Sequence, residues 1–298
     1  MNLTRMHGRA AATIALSSCV TLVTAGAYAR QGAGGKAEIR LKFHKGQVIK
    51  YKYDMTMAMA MTGMPGGQGA RSAPPTTMSN ITTQEVLNVR PDGSAEIRTT
   101  TILPKGPGGA PGQPPMGAPS GPVVGTSVMT PRGVVKDIKM EGQAGNSPAL
   151  SGISKMFGGG QMSLHLPDHP VSPGYSWTTP LDMPGFSTGG KMKSTFVKFG
   201  SYHGQRTAVI HTVTSAPINL DLGMFGGRSG GGGQNLKGSI HMAMDSEISL
   251  GAGRIERTTG GGGANIHMPA QPGQPGAQQM PNGLTMTMKM SIDMHAIP

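Results

Sequence analysis

Two stretches of strict alternation constrain this chain more than any other feature. In the first, Ile49, Tyr51, Tyr53, Met55, Met57, Met59 and Met61 alternate with Lys50, Lys52, Asp54, Thr56, Ala58 and Ala60. In the second, Leu284, Met286, Met288, Met290, Ile292 and Met294 alternate with Thr285, Thr287, Lys289, Ser291 and Asp293. A period of two places each set on one side of an extended strand, whereas a helix would scatter both sets around its axis.

Shorter alternating runs fill the rest of the sequence. Ile39, Leu41 and Phe43 predict a strand before a turn at Lys45-Gly46. Residues 81–90 and 95–102 read as a hairpin around Pro91-Asp92-Gly93, where proline presets φ and glycine supplies the positive φ that follows. Residues 123–129 and 134–138 flank Thr130-Pro131-Arg132-Gly133. Residues 192–199 and 206–214 flank Ser201-Tyr202-His203-Gly204, and 238–250 and 254–259 flank Gly251-Ala252-Gly253. Only Ser147 to Phe157 reads as helix, with Ser147 as N-cap, Pro148 at the first position, and Leu150, Ile153 and Phe157 on one face. The expected fold is all-β and mainly antiparallel, with curved sheets, a sandwich or a barrel-like closure, and one short helix.

The chain's 48 glycines and 24 prolines among 298 residues argue against long helices, because each is costly in a helix interior. They gather at 62–79, 104–122, 224–237 and 260–283, which hold little that could form a core. Burial there cannot offset the cost of ordering the backbone, so these read as disordered low-complexity loops. The expected ordered unit is a single β-rich domain over 38–296, or two similar halves, 38–143 and 161–296.

Residues 1–29 form an export signal. Arg5 and Arg9 precede an apolar run, and Ala27-Tyr28-Ala29 supplies the small residues of a cleavage site after Ala29. Leu16-Ser17-Ser18-Cys19 offers an alternative, a lipobox in which Cys19 is acylated and anchors an envelope lipoprotein. The apolar run continues past Cys19, which favours simple cleavage to a periplasmic or secreted protein. Cys19 is the chain's one cysteine, so cleavage after Ala29 leaves none, as suits an oxidising compartment. No later segment has the roughly 20 apolar residues of a transmembrane helix. The net charge of +12 is scattered and only 4% of residues are aromatic. That argues against nucleic acid, which calls for clustered charge and stacking rings, and leaves attraction to an anionic envelope surface.

Leu41-Lys42-Phe43-His44-Lys45-Gly46-Gln47 running into Tyr51-Lys52-Tyr53 resembles the opening of a family of exported bacterial β-proteins of unknown function. So does Leu166-Pro167-Asp168-His169-Pro170-Val171 followed by Gly174-Tyr175-Ser176-Trp177, although Tyr175 stands where such proteins usually carry Asp. The resemblance covers about 38–143 and 161–296. It implies a β-rich envelope protein and supplies no activity.

Several motifs bear on chemistry. Gly185-Phe186-Ser187-Thr188-Gly189 matches the G-x-S-x-G elbow, but Ser187 lacks the strand-to-helix context that would expose it as a nucleophile. Gly34-Gly35-Lys36-Ala37 and Gly189-Gly190-Lys191-Met192 lack the Ser or Thr that a P-loop needs after its lysine. His165, Asp168 and His169 are types that bind zinc, yet Pro167 prevents helical presentation and turn polarity explains them better. The expectation is therefore an exported envelope protein that binds or scaffolds, is not an enzyme and holds no cofactor. The methionine stripes allow three readings: a flexible buried core, a surface that adapts to a hydrophobic ligand, or soft Cu(I) ligands. The copper alternative draws on thioethers beside imidazoles, with His241, Met242 and Met244 as its ligands.

Overall fold

The computed structural model describes residues 35–63, 71–72, 74–102, 122–141, 164–181, 189–221, 235–268 and 283–298. The signal segment with Ala29 and Cys19, the 147–157 helix and Ser187 lie outside the described residues. The described residues form twelve strands: β1 (Val48–Thr62), β2 (Arg71–Ser72), β3 (Thr76–Val89), β4 (Ala95–Ile102), β5 (Val123–Met129), β6 (Val135–Met140), β7 (Ser176–Pro180), β8 (Lys191–Tyr202), β9 (Gln205–Asp221), β10 (Asn235–Ser249), β11 (Ile255–Met268) and β12 (Leu284–Ile297). All join one antiparallel sheet in the order β6-β5-β4-β3-β1-β12-β11-β10-β9-β8-β7, with β2 also pairing β1.

Strands from 38–143 and from 161–296 belong to one sheet, because the two longest alternating stripes pair with each other. β1 and β12 run in unbroken register from Lys50↔Ile297 to Thr62↔Thr285. Each side then meanders outward through hairpins set by local chemistry. The β8–β9 turn is His203-Gly204, both with positive φ (47° and 76°), the two-residue geometry that matches strand twist. In the β3–β4 turn, Asp92 Oδ1 accepts from the Ser94 amide at 3.0 Å and hydroxyl at 2.6 Å.

Eleven strands laid flat would span about 50 Å. The two edges nevertheless meet a single short segment. Leu166 donates its amide to the Arg132 carbonyl at 2.8 Å, and Arg132 Nε returns a bond to the Leu166 carbonyl at 2.7 Å, beside β5 and β6. The neighbouring His165 carbonyl accepts from the Trp177 indole on β7 at 2.7 Å. The sheet therefore curls until β6 and β7 face the same connection, yet each pairs only with its inner neighbour.

The core fills the end of this curl that carries the short turns. Residues 164–171 and 37–43 lie across it, joined by the Ala37↔Val171 bridge. Ile39 and Leu166 have no exposed surface and meet Tyr51, Ile97, Phe196, Ile210 and Ile248 from the sheet's inner face. The alternation of Ile39, Leu41 and Phe43 correctly separates buried from exposed side chains, but the expected strand does not form. Leu41 and Lys42 instead bond the carbonyls of Pro131 and Gly253, at 2.7 and 2.8 Å, in two different turns. Within this core, burial pushes the Tyr51 phenol above its ordinary range, and its hydroxyl donates to the Ile255 carbonyl at 3.1 Å.

The low-complexity boundaries need correction. Residues 76–79 and 235–237 belong to strands, and Gly260 to Gly263, expected to open a disordered loop, lie within β11. A β-carbon at Gly260 or Gly262 would fall on the carbonyl oxygen of Ala243 or His241 in the adjacent strand. This approach of backbone to backbone, rather than flexibility, is what the glycines serve.

Candidate functional site on the inner face

Directly paired residues in an antiparallel sheet point to the same side, so the register assigns every side chain to a face. Tyr51 is buried and marks the inner face. From it, Met55↔Ile292, Met57↔Met290, Met59↔Met288 and Met61↔Met286 form a ladder of opposed pairs running away from the core. On β11 the next inward residues are Gly260, Gly262, Ala264 and Ile266. Beyond them β10 contributes Met244, Met242 and Ile240, and β9 contributes Thr212, Thr214 and Ala216. Every methionine of the described strands projects to this face.

The two ends of the face differ. Near the core, Met129 and Met294 are buried among aromatic and aliphatic side chains. Farther out, Met55, Met57, Met59, Met61, Met286, Met288 and Met290 are all half-buried. A smaller apolar cluster of Ile218, Ala264, Ile240, Ile266 and Met288 sits beside them. The bare α-carbons of Gly260 and Gly262 form a strip between β12 and β10, and Met244 and Met242 lean over it. The Met242 Cγ lies 2.8 Å from where a Gly262 β-carbon would be, and the Met244 Cγ 2.9 Å from that of Gly260. Thr214, facing Met242 on one side and Met192 on the other, is buried with its hydroxyl unpartnered.

The opposite face is polar. Lys52 pairs with Asp54 at 3.0 Å, Arg257 with Asp293 at 2.8 Å, and His211 with Asp245 at 2.8 Å. Hydrogen bonding from Ser79 and Lys52 holds the half-buried Asp54 carboxyl below its usual range. A shallow cleft of about 240 Å³ lies among Arg90, Glu96, Thr126, Asp137 and Lys139. Its charges are mixed in sign, and it is separate from the methionine ladder.

The residues singled out from the sequence separate across these faces. Met242 is buried and Met244 half-buried on the inner side, whereas His241 is exposed on the outer side. Neighbours in a strand point opposite ways, so the structure does not bring His241, Met242 and Met244 together. The same alternation parts His267 from Met268 and Met294 from His295. Asp168 and His169 pair with each other at 2.8 Å on exposed surface. His165 lies half-buried, its imidazole pKa lowered by burial and by the Arg132 charge. No group of three or more His, Cys, Asp or Glu able to hold a metal occurs among the described residues. Lys191 opens a strand rather than a helix, so Gly189-Gly190-Lys191 has no phosphate-loop geometry. The glycine strip and Thr214 had no place in the sequence reading. The strip's signal was present, since Thr258, Gly260, Gly262, Ala264, Ile266 and Met268 continue one period-two set.

No family model matches the chain, and no curated protein is significantly similar to it. Among the described residues no helix is long and apolar enough to cross a membrane.

Proposed function

We propose that this is an exported envelope protein that binds a hydrophobic ligand along its inner methionine face and does not catalyse a reaction on it. The ladder of opposed methionines on β1 and β12 carries the proposal, because these side chains share one continuous face and are only half-buried. Thioether side chains are unbranched and polarizable and repack around differing shapes, which suits a flexible apolar chain such as a lipid tail. Over the adjoining glycine strip Met244 and Met242 lean, extending the thioether face toward β10. The signal-like segment at 1–29 supports export, and the net charge of +12 favours attraction to an anionic envelope surface.

The test is to purify the protein from the envelope, extract it with organic solvent and analyse the extract by mass spectrometry. Recovered protein should carry lipid, and a fluorescent fatty-acid probe should bind the delipidated protein. Met57→Asp and Met290→Asp, each placing a charge on the ladder, should abolish probe binding while the fold survives. Protein that carries no lipid and binds no probe would refute the proposal.

A further inference from the structure

The inner face also assembles a set of donors that hydrophobic binding does not require. Met57 lies directly opposite Met290, Met290 opposite Gly262, and Gly262 opposite Met242. These four positions form one row across four strands. β12 and β10 stand two strand spacings apart, about 10 Å. Any side chain on β11 would stand between them, but Gly262 leaves the space open. Met242 leans into it, its Cγ 2.8 Å from the β-carbon that Gly262 lacks. Met242 is almost wholly buried, at 4% exposure, while Met57 and Met290 on the other side remain half-buried.

We propose that Met57, Met242 and Met290 form a thioether-only site for a soft monovalent cation, Cu(I) or Ag(I). Donor chemistry sets the ion class. Thioether sulfur is soft and neutral and selects Cu(I) among biological metals. The described inner-face positions in the rows from Met55 to Met61 include no carboxylate and no imidazole. A divalent ion would lack the anionic or nitrogen ligands it needs to offset desolvation. A monovalent soft ion needs only three sulfurs, and the row supplies one from each of three strands. Met244, leaning over Gly260 in the adjacent row, stands within the same thioether field. The site shares only Met242 with the His241, Met242 and Met244 set, and it excludes the imidazole, which projects from the other side of the sheet.

The experiment uses the full chain carrying Cys19→Ser, because a free thiol would take Ag(I) ahead of any thioether, delipidated and titrated with Ag(I) alone, which needs no reductant. Binding is read by calorimetry, and ligation by the ε-methyl NMR signals of labelled methionine. One Ag(I) should bind, shifting the signals of Met57, Met242 and Met290. Leucine keeps the volume and apolarity of methionine but removes its sulfur, so Met242→Leu and Met290→Leu should each lose Ag(I) affinity by about tenfold or more while keeping the parent's circular-dichroism spectrum and unfolding midpoint. Met57→Leu, at a half-buried position, provides the same test if either of the others folds poorly. His241→Ala should bind Ag(I) as the parent does. Absence of Ag(I) binding, parent-like affinity in the leucine variants, or loss of affinity in His241→Ala would each overturn the proposal. The titration is run on delipidated protein with no fatty acid present, so failure here is distinguishable from failure of hydrophobic binding.

Discussion

The indole N–H of Trp177 donates to the carbonyl oxygen of His165 at 2.7 Å, tying the edge strand β7 to the connection that also holds the opposite edge through Arg132. Trp177→Phe preserves most of the ring's packing and leaves that carbonyl without its donor. The expected loss is about 1 kcal/mol, typical of one hydrogen bond. Hydrogen exchange should report it as faster opening of β7 with little change in β1 or β12.

The same connection supplies Leu166, which has no exposed surface and packs where both halves of the sheet converge. Leu166→Ala should destabilise the fold by about 2–5 kcal/mol in urea unfolding, from lost burial and the cavity left behind. A smaller effect would mean that the plug contributes little to the core.

His165 gives the plug a pH dependence. Burial disfavours its charged form, so its pKa in the fold lies below the ordinary value of 6.5. Between the two values the unfolded chain binds more protons than the folded one. Its contribution is therefore fully present above pH 6.5 and declines as pH falls below that value. His165 has a positive φ of 45°, which Asn tolerates better than most residues. His165→Asn should flatten the thermal-stability profile just below pH 6.5, and an unchanged slope would assign it to other groups.

Gly262 tests the close approach of β10 and β11 on the inner face. Gly262→Ala would set a methyl group against the His241 carbonyl and the Met242 side chain. We expect a loss of about 1–3 kcal/mol, the usual scale for overpacking. Fatty-acid binding should weaken as the displaced Met242 side chain disturbs the face, measured with the same fluorescent probe. Parent-like stability and binding together would show that β10 and β11 separate freely there.

Most of the strand pattern was legible because alternation reports which side a residue faces, whatever its neighbours are. The Ala95–Ile102 and Val123–Met129 strands and the Asp92-Gly93 and His203-Gly204 turns follow from local chemistry alone. Alternation does not report pairing. Ile39 and Leu41 carry the right facing, but their backbone bonds reach turns near residues 131 and 253, far away in sequence. The glycine run in β11 misled for the opposite reason. Composition made it look unable to order, whereas a neighbouring strand passes close enough that any side chain would obstruct it. For the candidate site, the thioethers were visible as stripes. That His241 lies on the far side of Met242 follows from the same period of two, applied to adjacent residues.

The Leu166, Val171 and Trp177 positions of the 166–177 motif also acquire a physical meaning. They are the plug and its anchor: Leu166 and Val171 are buried in the core, and Trp177 holds the edge. A chain can keep this pattern for reasons of folding whatever it binds.

The pairing of β1 with β12 bears on how the molecule comes together. The first long strand leaves its inner edge open until the final strand arrives, so the halves stay unjoined through nearly all of the chain. Contacts so distant in sequence form late, and an unpaired methionine-rich edge invites pairing with another molecule meanwhile. The last strand thus acts as a keystone. A chain stopped before Leu284 would present two unfinished sheets, each with a sticky border, and would be expected to aggregate rather than to fold into a smaller version of the same protein.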